Sequence, residues 1–131
     1  MAYTNNDVYL ASLALIDESK EKGDTADLEE RAPYLLASFC SLCRSLDKKL
    51  RERDSLEAQS KFSAIRLTLD GEFPLCEALS APAAAYLASM LVIDENPALS
   101  ESLYDKYCDE IAMLGAECSC EAIGDHYLFD Y

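Results

Sequence analysis

The chain has little of what catalysis and phosphate binding usually draw on. It carries one histidine, His126, and four glycines, none near another. Scattered glycines exclude a glycine-rich phosphate loop, whose backbone N–H groups must approach an anion closely. A single histidine argues against a His-based triad or metal cluster. The G-x-S-x-G, H-E-x-x-H and D-x-D-x-D-G signatures are missing. Basic residues are scarce too: 11 Lys and Arg stand against 25 Asp and Glu, a net charge of −14. So acidic a chain lacks the basic footprint that holds the outside of nucleic acid. No apolar run approaches the roughly 20 residues that span a bilayer. The N-terminus is polar at Asn5, Asn6 and Asp7 and has no signal-peptide pattern, so a soluble intracellular protein with no membrane contact is expected. The many carboxylates follow surface helix positions, and no catalytic pair stands out. The expectation is a non-enzymatic protein without a cofactor.

What is present is material for helices. Half of the 131 residues are hydrophobic, enough for one domain over residues 1–131 with its own core. The best-organised stretch is Ser80–Ala116. Ser80 reads as an N-cap, with Pro82 in the first turn. Tyr86, Leu87, Met90, Leu91 and Ile93 put apolar residues on most sides of that helix, which predicts deep burial. Asp94-Glu95-Asn96-Pro97 stops it, and Asn96 can cap a second helix with Pro97 at its first position. There Leu99, Leu103, Tyr107, Ile111 and Leu114 form one narrow apolar stripe. The first helix should be core and the second should lie over it.

The rest of the chain yields less regular signals. A helix capped by Asn5 or Asn6 is expected to run to about Lys22, after a frayed end, and to stop at Gly23. Asp24-Thr25 reads as a turn. A long stripe from Leu28 to Leu46 predicts a second helix, kinked or restarted at Pro33. Asp47–Ser60 is charged, with Leu50 and Leu56 its large apolar residues, and predicts a helix fraying near Arg51. Phe62–Gly71 then alternates, with Ile65, Leu67 and Leu69 on one side, which is the period of extended chain. A lone strand needs a partner, in its own domain or in another copy. Phe73–Leu79 reads as one short turn of helix, and the helix after Gly115 should weaken. Tyr127, Phe129 and Tyr131 alternate at the C-terminal end. They fit either a segment folded onto its own core or an arm over residues 117–131 that docks on a partner. The fold class is therefore mainly α: a small bundle of about four to five helices with one extended loop or short strand. Residues 47–72 form its polar connection. Ile65, Leu67, Leu69, Tyr127, Phe129 and Tyr131 are the candidate partner-binding residues.

Six cysteines invite a metal or a disulfide. Cys40-x-x-Cys43 and Cys118-x-Cys120, with His126 nearby, supply ligands of the right type for zinc. However, the first pair lies within a helical, apolar run rather than on a knuckle, so free thiols are expected. Cys76 and Cys108 read as small core residues. Charge is also uneven. Arg44–Arg66 holds seven of the eleven basic residues and four acids, whereas Asp94–Tyr131 holds ten acids and one lysine. Two solvated faces or head-to-side packing between copies would both produce this asymmetry.

The order of these features resembles a known family. Ala14-Leu15-Ile16-Asp17-Glu18 closes a short first helix, and Asp27-Leu28-Glu29-Glu30-Arg31-Ala32-Pro33 opens a long one. A polar insertion and Phe73-Pro74-Leu75 follow. Then come Ala83-Ala84-Ala85-Tyr86-Leu87-Ala88 and Asp94-Glu95-Asn96-Pro97-Ala98-Leu99, leading to Tyr104–Tyr107. This order is similar to that of the head–tail connector, or neck adaptor, proteins of tailed bacteriophages and prophages. The resemblance implies a helical bundle, copies of which form a ring between the portal protein and a tail-completion protein. The ring would line the channel through which DNA passes without specific binding. Its place would be the virion neck, and the host cytoplasm during assembly. The contacts would fall to roughly residues 47–72 and 117–131. The alternative is a helical regulatory or interaction module that binds one protein partner through the 80–116 hairpin.

Overall fold

The computed structural model describes residues 3–16 and 26–123. Among them are five α-helices: α1 (Asn5–Leu15), α2 (Ala26–Leu42), α3 (Arg44–Arg53), α4 (Ser80–Val92) and α5 (Pro97–Ile123). A single 3₁₀ turn, Glu77–Leu79, leads into α4. The fold is a small, mainly helical bundle.

Helix α4 is its centre. Ala83, Ala84, Ala85, Leu87 and Ala88 are all buried, and α1, α2 and α5 pack against it. Small side chains let neighbouring backbones come close on several sides, which a single apolar stripe would not permit. Phe39, Tyr86 and Tyr107 fill the junction of α2, α4 and α5 with ring centroids 5.2–5.9 Å apart. Polar contacts also tie α4 to its neighbours, among them the Ser38 and Tyr86 hydroxyls 3.2 Å apart between α2 and α4. Ser100 Oγ on α5 donates to the Ser89 carbonyl at 2.8 Å, and Arg31 on α2 donates to the Leu91 carbonyl at 3.3 Å.

The hairpin corner follows from its sequence. Asn96 Oδ1 accepts from Leu99 N at 3.1 Å, capping α5 with Pro97 at its first position. Leu103 and Tyr107 are buried and Leu99, Ile111 and Leu114 partly so, as the stripe requires. Other expectations are corrected. Ser80 is not the cap of α4: it is the first helical residue, and its hydroxyl donates back to the Glu77 carbonyl at 2.7 Å. Ile93 lies beyond the last turn and is 48% exposed rather than buried. Cys108 is exposed, because it sits beside the stripe rather than on it. Helix α5 does not weaken at Gly115 but continues to Ile123, with Cys118 buried one turn on.

At the other end, Thr4 caps α1 in place of Asn5 or Asn6. Thr4 Oγ1 accepts from Asp7 N at 3.1 Å and Asp7 Oδ2 accepts from Thr4 N at 3.0 Å, a reciprocal capping box. Residues from Tyr3 onward are not frayed, since Thr4 pairs with Glu72. The extension of α1 to Lys22, the Gly23 stop and the Asp24-Thr25 turn lie outside the described residues. Helix α2 runs through Pro33 without restarting. A turn at Cys43 separates it from α3, whose end at Arg53 matches the expected fraying point.

Candidate functional site

The segment between α3 and the 3₁₀ turn carries the most distinctive local construction. It begins at Ser55, a non-glycine residue at φ 55°. Ser55 N donates to Glu52 O at 3.4 Å and Leu56 N to Arg51 O at 2.8 Å. This double closure satisfies carbonyls that the end of α3 would otherwise leave open, and it turns the chain sharply.

Polar contacts centred on one buried carboxylate then pin the segment. Asp47, on α3, has no solvent exposure. Its oxygens accept from Cys76 N at 2.7 Å, Gln59 Nε2 at 2.6 Å and Arg51 Nε at 2.8 Å. Burial pushes the Asp47 carboxyl up, but the hydrogen bonds from Gln59, the Cys76 amide and Arg51 outweigh it and hold the pKa below the ordinary carboxylate value. Arg51 continues outward. Its terminal nitrogens donate to the carbonyls of Glu57 and Pro74, each at 3.0 Å. The start and the end of the 56–76 segment are thus fastened to one turn of α3.

The middle of the segment is held by backbone groups and a few apolar side chains. Asn5 N donates to Gly71 O and Asn6 N to Leu69 O, both at 2.9 Å, so the segment's carbonyls satisfy open donors at the start of α1. Asn5 Nδ2 adds a bond to Thr68 O at 2.8 Å, and Phe73 N donates to Tyr3 O at 2.7 Å. Leu67 N donates to Pro33 O at 3.1 Å. A side chain at Gly71 would crowd this turn, because an added Cβ would lie 2.8 Å from Thr68 Oγ1 and 3.3 Å from Thr68 O. Arg44 lies 4.4 Å above the Phe62 ring.

These attachments explain the fate of the alternating residues. Among the described residues there is no strand, only the isolated Thr4–Glu72 bridge. The segment's hydrogen bonds go instead to the start of α1 and to the Pro33 carbonyl inside α2. Ile65, Leu67 and Leu69 therefore do not share one face. Leu67 is buried and Leu69 half-buried, and both anchor the segment, whereas Ile65 is 75% exposed. Ile65 is the most exposed of the three. Tyr127, Phe129 and Tyr131 lie outside the described residues.

Beside Ile65 the surface contains a residue that the sequence pattern passed over. Tyr34 on α2 is 51% exposed, with the Arg66 guanidinium 5.7 Å from its ring. Together with Pro33, Leu69 and Asp70 they border a shallow hollow. The signal for Tyr34 is that it falls off the α2 stripe, where an aromatic side chain is left half-exposed. A second hollow lies at the α4–α5 corner, where Met90, Ile93 and Tyr104 meet Pro97.

Among the described residues the cysteines are free. Cys40, Cys43, Cys76 and Cys118 are buried free thiols. Burial pushes Cys40 up to about 12 and Cys43 and Cys76 up to about 11. All three are thiols near neutral pH, not nucleophilic thiolates. Among the described residues no three His, Cys, Asp or Glu side chains gather to hold a metal ion. No described helix is long and apolar enough to cross a membrane.

No protein-family model, curated protein or solved structure matches the chain.

Proposed function

We propose that this chain is a head–tail connector subunit of a tailed bacteriophage or prophage. It acts without catalysis, as one copy in a ring between the portal protein and a tail-completion protein. DNA passes through the ring without being read. The protein works in the virion neck and is made and assembled in the host cytoplasm. The observation that carries this reading is the mounting of residues 56–76. Both ends of the segment are fastened by the Asp47–Arg51 pins, while Ile65 and Arg66 face solvent on a path bonded to the start of α1 and to the Pro33 carbonyl of α2. A segment so fixed presents a defined contact surface at a small ordering cost on binding. The net charge of −14 suits a channel wall that must not hold DNA. The test is a pull-down with the tagged full-length protein from an induced lysogen or infected lysate. Recovery of portal and tail-completion proteins supports the assignment. Recovery of a host protein without any virion component removes it.

The α4–α5 hollow supports a second reading. Ile93 and Tyr104, exposed at 48% and 42%, form an apolar patch away from the 56–76 segment. A regulatory module binding one protein partner through the 80–116 hairpin would use that patch.

A further inference from the structure

Most described basic side chains are already engaged. Arg51 is in the Asp47 pin, Arg53 pairs with Asp54 and Glu117, Arg31 with Asp27, and Lys106 with Glu110. Arg44 and Arg66 lie over aromatic rings. Lys48, Lys49 and Lys61 have no ion pair among the described residues, and Lys48 and Lys49 stand side by side. Adjacent on α3, both are exposed.

Helix α5 carries the complement. Glu101, Asp105 and Asp109 follow one another at intervals of four, so they lie along one face. All three are exposed and lack a cation among the described residues. Like charges at this spacing destabilise a helix. The face is therefore poorly stabilised alone and improved by any cation laid along it. Among the described residues no ion pair joins the lysine pair to the acidic face within one chain.

We infer that Lys48 and Lys49 of one copy dock on the Glu101–Asp105–Asp109 face of α5 in a second copy. The contact is heterologous, since each copy gives one surface and receives the other, and repetition closes a ring or grows a filament. The inference rests on the ring reading given above and names the surfaces that would build it. Charge also sets when the contact forms. Copies of net charge −14 repel one another at a distance. Salt screens that repulsion beyond about 8–10 Å, while ion pairs in contact keep much of their attraction. Free copies associate weakly, and a template that gathers them tips the balance.

The test is zero-length carbodiimide coupling of full-length protein, mixed from heavy-isotope and unlabelled batches at high concentration. The expected product is a mixed-isotope peptide joining residue 48 or 49 to 101, 105 or 109. K48E/K49E has no amine to form that bond, and in D105K/D109K the only remaining link, from 48 or 49 to 101, should fall roughly tenfold because the new lysines repel the approaching pair. Coupling should return when those two variants are mixed, because the swapped charges then face each other. All the altered residues are exposed, and circular dichroism of each variant confirms that folding is kept. Absence of the mixed-isotope peptide in the native protein, a link to residue 101 that is unchanged in D105K/D109K, or no coupling in the mixture of the two variants overturns the inference. The pull-down separates the two failures. Coupling without portal recovery keeps this contact and removes the connector assignment. Portal recovery without coupling keeps the assignment and removes this contact.

Discussion

The Asp47 carboxylate accepts Arg51 Nε at 2.8 Å from one turn further along α3, yet Asp47 has no solvent exposure. An i, i+4 ion pair on a helix surface contributes only about 0.3–0.5 kcal/mol. This one is buried on the acidic side and shared with Gln59 and the Cys76 amide. Removing one partner leaves the others desolvated and unpaired, which typically costs about 3–5 kcal/mol. Asp47→Ala should therefore lower stability by that order in urea unfolding. Asp27→Ala removes the exposed pair with Arg31 at 3.5 Å and should cost under about 1 kcal/mol. Equal effects of the two substitutions would show that the Asp47 network is not holding the segment.

The same carboxyl sets a pH dependence. Its folded pKa lies below the unfolded value of about 4, so the unfolded state takes up the proton first as pH falls. Its contribution is present in full above the unfolded pKa and is lost as pH falls through the folded one. The stability gap between the native protein and Asp47→Asn should be widest near about pH 6 and should narrow toward about pH 3. Urea midpoints across that range measure it, and a gap that widens in acid contradicts the sign.

The thiols should separate by position. Cys108 is exposed, whereas Cys40, Cys43 and Cys76 are buried and their pKa values lie at about 11–12. Iodoacetamide at mildly alkaline pH should label Cys108 in the native protein and reach those three only after denaturant is added. Peptide mass mapping reads the order directly. Raised thiol pKa values also mean stability that is complete below the free-cysteine value of about 8.5 and falls as pH rises through the folded values.

Two opposite substitutions should both stabilise. Ser55 sits at φ 55°, where a side chain costs about 1–2 kcal/mol and glycine little. Gly115 sits within α5, and an added Cβ would meet nothing within 4 Å. Ser55→Gly should gain several tenths of a kcal/mol, and Gly115→Ala up to about 1 kcal/mol. Thermal melts of the single and double variants test both. The sites are on separate elements, so the gains should add.

The α4–α5 hairpin was legible because its signals are local. Asn96-Pro97 sets the cap, and the spacing from Leu99 to Leu114 sets the buried face. The segment at 62–71 was not. Its period of two is real, but that period describes extended chain and does not say what the backbone bonds to. Its partners are the start of α1 and the Pro33 carbonyl, far away in sequence. Burial of Asp47 was hidden for the same reason. Gln59 and Cys76 lie 12 and 29 residues further on, and without them Asp47 reads as a surface helix acid. Ile93 misled in the opposite sense: its hydrophobicity continued the α4 pattern after the helix had ended.

Ile65 and Leu67 give the sharpest separation between folding and binding. They stand two residues apart in one alternating run, and the sequence assigns them the same face. In the fold, Ile65 is 75% exposed and Leu67 only 8%. Leu67→Ala removes buried methyl groups from the segment's anchor and should cost about 2–3 kcal/mol in unfolding experiments. Ile65→Ala should change stability by less than about 0.5 kcal/mol, because its side chain covers little of its own chain. If the 56–76 segment is a contact surface, Ile65→Ala should still weaken partner recovery in the pull-down, by a factor of ten or so for a central contact. Loss of stability without loss of binding at Ile65 would make the residue part of the core. No change in either would leave the segment without a role in contact. Retained stability with weakened recovery is the combination expected of a side chain held out for a partner.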